Sequence, residues 1–362
     1  CAGWLRPAPA PVQQSPNPHK MGDWSKKLFK HAEHPRRFAT AVTVAKNVTV
    51  FGGEKDGKQF NSLLMFQTGG LKTLVAPRGM GILPAARVHH SATLVDGKLM
   101  VLFGGRVGAA ANADLFSFNS ASKIWSRPRV SGDAPSPRFG HAAAAVGKDL
   151  FVFGGSDGAA VFDDMHLFVV GKNKWSKVAT QGPAPAARVH HSMVAVGGKL
   201  YVFGGADATG AELDDLHSFD VATSTWSRVA AAGPAPGPRA GHQVAASELG
   251  FVAVGGTRAG AGLADVLEFD AAKQAWQQLD AQAGAPGPQQ GHTVAIVGKQ
   301  LFVIEADGGE VHWVDYTKAP RGPVRAASAS APSGHAPAVD VHPVRTPAQQ
   351  EPAPAAAPAA AP

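Results

Sequence analysis

Short apolar runs alternate along the chain with stretches rich in glycine, proline and other turn-forming residues. In one such stretch, residues 141–146 read as a first strand and residues 150–153, after a turn, as a second. Residues 164–170 then read as a third strand and residues 175–178 as a fourth. Apolar runs joined by tight turns favour antiparallel pairing of neighbours. The pattern therefore predicts a small four-stranded antiparallel sheet.

The same pattern recurs with a period of about fifty residues. Five strands end in paired glycines, at Gly52-Gly53, Gly104-Gly105, Gly154-Gly155, Gly204-Gly205 and Gly255-Gly256. In four units a phenylalanine precedes a tryptophan by seven positions: Phe118 and Trp125, Phe168 and Trp175, Phe219 and Trp226, Phe269 and Trp276. Four positions before each of these phenylalanines stands an acid, at Asp114, Asp164, Asp215 and Asp265. Four strands repeated at this period predict the blades of a β-propeller.

The glycine pair after an apolar strand, the spaced aromatic residues and the fifty-residue period resemble the Kelch repeat. The resemblance covers about residues 21–318 and implies an all-β fold, a Kelch β-propeller of four-stranded antiparallel blades. The chain has phenylalanine where the family commonly has tyrosine. The first unit departs further, with Thr40 at the position of the repeated histidine and Leu74 near that of the tryptophan.

A sixth unit begins at Gln289 and ends without a tryptophan strand. Its glycine positions hold Glu305 and Ala306. Near the start of the chain, Trp24 precedes Arg37 by 13 residues, the same spacing that recurs between tryptophan and arginine in later units. We therefore predict that an N-terminal strand around Trp24 completes the last blade and closes a six-bladed ring. Such closure removes exposed sheet edges.

The two ends of the chain differ in composition from the repeats. Residues 1–20 are rich in proline, and Ala or Pro accounts for 23 of the 42 residues in 321–362. Segments with so little apolar surface cannot offset the entropy lost on ordering. We predict a flexible segment at 1–20, the propeller at 21–320 and a disordered tail at 321–362. A start at Cys1 fits either an incomplete gene product or a processed chain, including a mature bacterial lipoprotein.

The amino-acid composition and charge exclude several classes of protein and of binding site. A single cysteine excludes a disulfide framework and any multi-cysteine metal site. No apolar run approaches the roughly 18 residues of a transmembrane helix. The net charge is +7, and residues 1–37 contribute +5 of it, with no interleaving of basic and aromatic residues that would indicate specific nucleic-acid binding. We expect a monomeric, cytoplasmic protein.

Familiar catalytic and metal-binding patterns are not matched. Histidines recur once per unit, at His90, His141, His191, His242 and His292. One histidine per blade lies on a wide circle, which does not suit a single small ion. Kelch-type copper radical oxidases use a tyrosine crosslinked to cysteine, but this chain has only Tyr201, Tyr316 and Cys1, and Cys1 lies outside the repeats. We expect no catalytic residue, no metal and no cofactor.

One arginine per unit precedes the predicted innermost strand: Arg37 (or Arg36), Arg87, Arg138, Arg188 and Arg239. Kelch domains of ubiquitin-ligase adaptors use arginines at this blade position to hold acidic peptides. The resemblance therefore implies that these five arginines bind a partner through bidentate contacts with carboxylates or phosphates. The alternative is that they only tie loops together by hydrogen bonds.

The resemblance implies two classes of function. The first is a non-catalytic scaffold that binds a protein partner, favouring an acidic segment, through the loop face of the propeller. Its layout is most like the small propeller-only Kelch proteins that act as Rab effectors, since no BTB or BACK region is present. The alternative is a small-molecule enzyme with its site at the mouth of the propeller axis, as in Kelch-type sugar epimerases.

Overall fold

Six small antiparallel sheets surround a common axis in the computed structural model, which describes residues 23–28, 34–68, 72–75, 80–279, 285–288 and 290–325. Each sheet is one blade, and its strands are numbered here from the axis outward. Chain order and spatial order agree within each blade except the last. The predicted all-β, six-bladed fold is confirmed. Among the described residues, no helix is long and apolar enough to cross a membrane.

The strand bounds repeat closely from blade to blade. The first strands are Thr40–Val44, Ser91–Val95, Ala142–Val146, Ser192–Val196, Gln243–Ala246 and Thr293–Val297. The second strands are Asn47–Phe51, Leu99–Phe103, Asp149–Phe153, Lys199–Phe203, Gly250–Val254 and Gln300–Ile304. The third strands are Leu63–Gln67, Leu115–Asn119, Met165–Val169, Leu216–Asp220, Val266–Asp270 and Glu310–Asp315. The fourth strands are Lys72–Val75, Ile124–Ser126, Lys174–Lys177, Thr225–Arg228, Ala275–Leu279 and Ser25–Leu28.

Short hairpins and one 3₁₀ turn are added to the four-stranded blades. Hairpins of two-residue strands follow the glycine pairs of three blades, at Glu54–Lys55 with Lys58–Gln59, Arg106–Val107 with Ala110–Ala111, and Thr257–Arg258 with Ala261–Gly262. A 3₁₀ turn, Val170–Lys172, joins the third and fourth strands of blade 3. The hairpins extend the loops between second and third strands, all of which open at one face of the propeller. This face is called the loop face below.

The core lies between blades rather than inside them. Six apolar clusters each draw buried side chains from two neighbouring blades, and together they complete the circle. Each repeated tryptophan packs on the phenylalanine that ends the second strand of the preceding blade. The ring centroids of Phe103 and Trp175, for example, are 5.1 Å apart, and those of Phe153 and Trp226 are 5.2 Å apart. Aromatic burial of this kind accounts for the repetition of both residues in the sequence.

The N-terminal strand closes the ring as predicted. Ser25–Leu28 pairs antiparallel with Glu310–Asp315, so that Ser25 lies opposite Trp313 and Leu28 opposite Glu310. Trp24 is buried in the cluster between blades 5 and 6, where the tryptophans of other blades lie in theirs. On the other side of blade 6, Phe302 and Ile304 pack with residues of blade 1. The first and last units are thus joined on both faces of the final sheet.

The connections between blades also contribute to the sheets. Met80–Gly81 and Ser131–Gly132 pair in parallel with the fourth strands of blades 2 and 3. Neither paired segment contains a proline, so the required backbone N–H groups are present. Residues 321–325, assigned to the tail, also belong to the propeller, because Arg321–Gly322 pairs with Ala275–Leu279 of blade 5. The predicted flexible segment 1–20 and the tail from 326 onward lie outside the described residues.

Candidate functional site

The register of blade 1 identifies which of two adjacent arginines repeats. Arg36 Nη1 donates to the Gly52 carbonyl at 3.0 Å, as Arg188 Nη1 donates to the Gly204 carbonyl at 3.0 Å. Arg37, predicted for this position, instead pairs with Asp307 across two contacts of 2.6 and 2.7 Å. Arg36 therefore takes the repeated position in blade 1.

Three of the repeated arginines form bidentate pairs with acids of their own blade, whereas Arg36 of blade 1 donates to Ser62 at the corresponding position. Arg138 donates to Asp164 at 2.6 and 3.1 Å, and Arg188 donates to Asp215 at 2.7 and 2.8 Å. Arg239 and Asp265 form the same bidentate pair, at 2.8 and 2.7 Å. Each of these guanidinium groups also donates to the carbonyl of the first glycine in its blade. The pair thus holds the entry to the first strand, the end of the second and the start of the third together.

Blades 3 and 4 add a histidine to the pair. His166 Nε2 lies 2.9 Å from Asp164, and His217 Nε2 lies 3.0 Å from Asp215. Burial alone would raise the pKa of Asp164, but hydrogen bonds from His166 and Arg138 outweigh it and hold that pKa well below its usual value. The same balance, with Arg188 as the main donor, lowers the pKa of Asp215. Both acids therefore stay ionised at neutral pH.

Blade 2 has a looser version of this arrangement. Arg87 Nη2 is 3.7 Å from Asp114, and Asp114 also pairs with the exposed Arg127. Burial lowers the pKa of Arg87 to about 10, against the opposing attraction of Asp114. Arg87 is consequently less well compensated than Arg138, Arg188 and Arg239.

Four of the five arginines predicted to bind a partner are not accessible. The side chains of Arg87, Arg138, Arg188 and Arg239 are 0% exposed, and a partner could reach them only by breaking the contacts just described. The accessible position expected for them is therefore corrected, and the geometry supports the alternative, in which they tie the loops together. Partner binding by these arginines stays a prediction.

The five repeated histidines are buried beside the axis, and four of them contact the preceding blade. His90, His141 and His242 each lie within 2.9 Å of a hydroxyl there, on Thr40, Ser91 and Ser192. His292 contacts the Val254 carbonyl instead, at 3.1 Å. The histidine position of blade 1 holds Ala39 and not Thr40 as predicted. A Cβ atom placed at Gly53 would touch the Cβ of Ala39, just as one placed at Gly105 would touch the Cβ of His90.

His191 is the exception among these histidines. Neither of its ring nitrogens has a hydrogen-bond partner among the described residues. His90, His141 and His242 each contact a hydroxyl on the residue that begins the first strand of the preceding blade. For His191 that residue is Ala142, which has no hydroxyl. Burial lowers the pKa of all five histidines, to about 3 for His141 and about 4 for His292. The axis is thus lined by neutral imidazoles.

Six residues with left-handed backbones form a belt around the axis at the loop face. They share a position two residues after the repeated arginine, or after Gln289 in blade 6: Phe38, His89, Gly140, His190, Gly241 and Gly291. Five backbone hydrogen bonds of 2.7–3.2 Å pass from blade to blade along this belt. A positive φ is uncommon for phenylalanine and histidine, so the surrounding ring must enforce it.

A cavity of about 930 Å³ opens at this belt. The rings of Phe38 and His89 are 4.2 Å apart between centroids, and those of His89 and His190 are 4.8 Å apart. These three side chains occupy the centre of the mouth. Burial is the main cause that lowers the pKa of His89, with His190 the next. The belt is not among the features predicted from the sequence, although its constant distance from the repeated arginine could have revealed it.

The loops around the mouth are linked to one another. Gln59 exchanges two hydrogen bonds with Gly108 of the next blade, at 3.1 and 2.9 Å. Glu212 accepts from Thr257 and from the backbone of Ala259 at 3.1 and 2.7 Å. The Arg106 guanidinium lies 4.9 Å from the centroid of the Phe139 ring. Preorganised loops of differing sequence around a cavity can recognise a ligand without a large ordering cost.

Comparison with known proteins supports this architecture. The family model described as the KLHDC2/KLHL20/DRC7 Kelch-repeats domain matches residues 19–182 and 100–309. The chain is 33% identical over 104 residues to the Rab9 effector protein with kelch motifs of Xenopus laevis. It is 34% identical over 128 residues to Kelch domain-containing protein 3 of Bos taurus.

These pairwise alignments are partial. The first covers 28% of both this chain and the Xenopus protein, and the second covers 31% of this chain and 33% of the bovine protein. A third relative, the Rho GTPase-activating protein gacHH of Dictyostelium discoideum, is 36% identical over 108 residues, which are 29% of this chain and 7% of that protein. The family model, however, spans most of the repeats, and the six-bladed structure agrees with it. The chain belongs to the Kelch-repeat β-propeller family.

Proposed function

We propose that this protein is a non-catalytic interaction module that binds a segment of a protein partner at the loop face. The observation that carries this proposal is the cavity of about 930 Å³ at the axis mouth, ringed by loops that differ from blade to blade. The blades beneath those loops are nearly identical in structure. A constant scaffold that presents variable, linked loops is typical of a recognition surface.

The chemistry of the cavity favours binding over catalysis. Among its described lining residues, Glu54 is the one carboxylate, while seven histidines line the walls. Burial keeps His90, His141, His191, His242 and His292 neutral. General acid–base catalysis needs groups that change protonation near the working pH. We therefore assign no reaction to this cavity, and no observation favours the epimerase alternative.

Charges on the loop face support an acidic partner segment. The loops of blades 1 and 2 carry Lys55, Lys58 and Arg106 against Glu54 and Asp56, a net charge of 3 − 2 = +1, whereas Asp157 and Asp207 lie on the loops of blades 3 and 4. An acidic segment would be attracted to the first sector and repelled by the second. We therefore propose that such a segment enters the mouth over blades 1 and 2. The buried arginines contribute by holding the loops in place.

The proposal is tested by reversing charge at the mouth. The full chain and a Lys58→Glu, Arg106→Glu variant would each be used for proximity labelling, and enriched proteins then tested as purified partners by titration. The matched control is Lys148→Glu with Lys199→Glu, which changes the same charge on turns at the opposite face. We expect the mouth variant to lose direct binding and the control to keep it.

Two results would contradict this assignment. One is a purified partner that binds the mouth variant as tightly as the unaltered protein. The other is a partner lost only in the opposite-face control. The cytoplasmic location and monomeric state belong to the same proposal, and they are checked by imaging the full chain in cells and by light scattering of the purified protein.

A further inference from the structure

Blade 6 departs from blades 3, 4 and 5 at the positions where those blades hold the close arginine–acid pair. Its register is clear, because His312 lies opposite Val303 just as His166 lies opposite Val152. The Glu305 backbone N–H donates to the Glu310 carbonyl at 3.0 Å, as that of Gly154 donates to the Asp164 carbonyl. Glu310 thus stands at the acid position, Glu305 at a glycine position and Gln289 at the arginine position. Blade 6 has gained a carboxylate and lost the arginine.

The side chains of this blade converge on one point. His312 is 3% exposed, and its Nε2 lies 3.0 Å from Glu305 Oε1 and 3.4 Å from Glu310 Oε2. One ligand atom from each residue lies within 4.8 Å of the other two. Neighbouring ligand atoms of a tetrahedral zinc ion, each at about 2.1 Å from the metal, are about 3.4 Å apart. Small side-chain rotations would therefore place all three atoms around one ion.

The loop after Glu305 is shaped around its carboxylate. A Cβ atom added at Gly308 would collide with Glu305 Oε2. The carboxylate therefore lies over the Gly308 backbone, and a side chain at that position would push it aside. In this position Glu305 Oε1 lies 3.0 Å from His312 Nε2. The three side chains are arranged before any ligand arrives, which lowers the entropic cost of binding.

The compensating charge in blade 6 differs from that in blades 3 and 4. There, a buried guanidinium faces the acid and the histidine. Here, Lys26 of the N-terminal strand reaches Glu310 at 2.9 Å, and its side chain is 54% exposed. A single Nε2 proton of His312 can serve only one of two carboxylates. An exposed lysine is a weak and replaceable partner compared with a buried arginine.

We propose that Glu305, Glu310 and His312 bind a divalent transition-metal ion, with zinc as the probe that suits this donor set. Two carboxylate oxygens and one imidazole nitrogen supply three ligands and leave a further position for water. The ion would supply the positive charge that arginine supplies in other blades. Lys26 lies on the strand that closes the ring and contacts Glu310. The Glu310 carboxylate would therefore contact both the metal ion and the closing strand. The role proposed is structural.

Zinc titration of the full chain, freed of metal by chelation, tests the proposal. We expect one zinc equivalent of higher affinity, followed by weaker binding to other histidines. Glu305→Gln and His312→Gln should each weaken the first equivalent by about tenfold or more. The matched control is His217→Gln, because His217 has the same register in blade 4 but lies beside Asp215 and Arg188. This control should bind zinc as the unaltered protein does.

The Lys26→Met variant distinguishes two hypotheses: that the three residues bind a metal ion, and that they form an acid cluster stabilised only by Lys26. If zinc replaces the lysine at Glu310, removing the lysine should tighten zinc binding and increase the rise in melting temperature that zinc produces. Thermal melts without zinc show whether each variant is folded. The proposal is overturned if Glu305→Gln binds zinc as tightly as the unaltered protein, or if Lys26→Met weakens zinc binding.

Discussion

Arg188 and Asp215 lie 27 positions apart in the chain and face each other through two hydrogen bonds of 2.7 and 2.8 Å inside blade 4. The guanidinium is 0% exposed, and the carboxylate is 19% exposed. Asp215→Asn would leave a buried charge without its counterion. We expect the free energy of unfolding, measured with urea, to fall by about 3 kcal/mol, because breaking one side of a buried pair is costly.

An exposed pair provides the control for this measurement. The Arg127 side chain is 57% exposed and contacts Asp114. Because solvent screens such a pair, Arg127→Ala should lower the free energy of unfolding by less than about 1 kcal/mol. Equal losses in the two variants would show that burial does not determine the value of the Arg188–Asp215 pair.

The unpartnered His191 ring predicts a stabilising substitution. Ala142→Ser would place a hydroxyl where Thr40, Ser91 and Ser192 hold theirs beside the histidines of the next blades. A new hydrogen bond to a buried donor or acceptor adds about 1 kcal/mol. We therefore expect the urea midpoint to rise with an unchanged dependence of unfolding free energy on urea concentration.

The reverse substitution gives the matched control. Ser192→Ala removes the hydroxyl that lies 2.7 Å from His242 and should lower stability by about 1–2 kcal/mol. If Ala142→Ser destabilises the protein while Ser192→Ala has no effect, the hydroxyl–histidine contacts do not stabilise the ring.

Ring closure depends on the N-terminal strand, and Trp24 is its buried anchor. Trp24→Ala should cost about 3–5 kcal/mol, because a large aromatic side chain leaves a cavity between blades 5 and 6. Leu28→Ala changes the same strand at a side chain that is 51% exposed and should have little effect. Calorimetry distinguishes the two, and similar melting temperatures would contradict the role assigned to Trp24. A chain that begins at residue 31 should melt at least as early as Trp24→Ala.

Stability should fall as the pH drops below about 6.5. The pKa of His141 is about 3 and that of His292 about 4 because of burial, whereas an unfolded histidine has a pKa near 6.5. Between these values the unfolded chain binds more protons than the folded one, so stability rises with pH. The lowered pKa values of Asp164 and Asp215 act in the same direction, but only below about pH 4.

Urea unfolding at pH 7.5, 6 and 5 measures this dependence. Each buried histidine contributes up to about 1.4 kcal/mol per pH unit within its window. His141→Gln should reduce the slope between pH 6 and 5 by one proton. A free energy of unfolding that stays constant from pH 7.5 to 5 would show that these histidines take up protons at the same pH in the folded protein as in the unfolded chain.

The strands, the blade count and the N-terminal closure were predictable because each repeats a local pattern. Trp24 could be matched to later tryptophans by its local sequence and an approximate spacing, which is 12 residues when counted to Arg36 and 13 in the later units. The arginine–acid pairs were harder to predict, although both partners recur, because 26 or 27 residues separate them. Whether two residues so far apart in sequence form a pair depends on how the folded blade brings its loop ends together. The spacing in the sequence does not predict that arrangement.

The error at Arg37 has a similar origin. Two adjacent arginines satisfy the same motif, and the choice depends on which side chain points into the blade. Accessibility of the arginines was also misjudged, because charge alone suggests a surface position. A buried guanidinium is tolerated only where carbonyl and carboxylate acceptors surround it. Those acceptors come from three separate segments of the blade.

The belt of left-handed residues makes the central opening lopsided. Three of its six residues have aromatic side chains, Phe38, His89 and His190, and the other three are glycines. The six sheets are close to equivalent, yet the three rings also cover two of the glycines: a Cβ atom placed at Gly140 would meet His190, and one placed at Gly291 would meet Phe38. Nothing lies within 4 Å of such an atom at Gly241 of blade 5. A ligand at this opening would therefore meet aromatic faces around most of its rim and bare peptide at blade 5, so its six possible orientations are not equivalent in spite of the near-sixfold repetition of the walls.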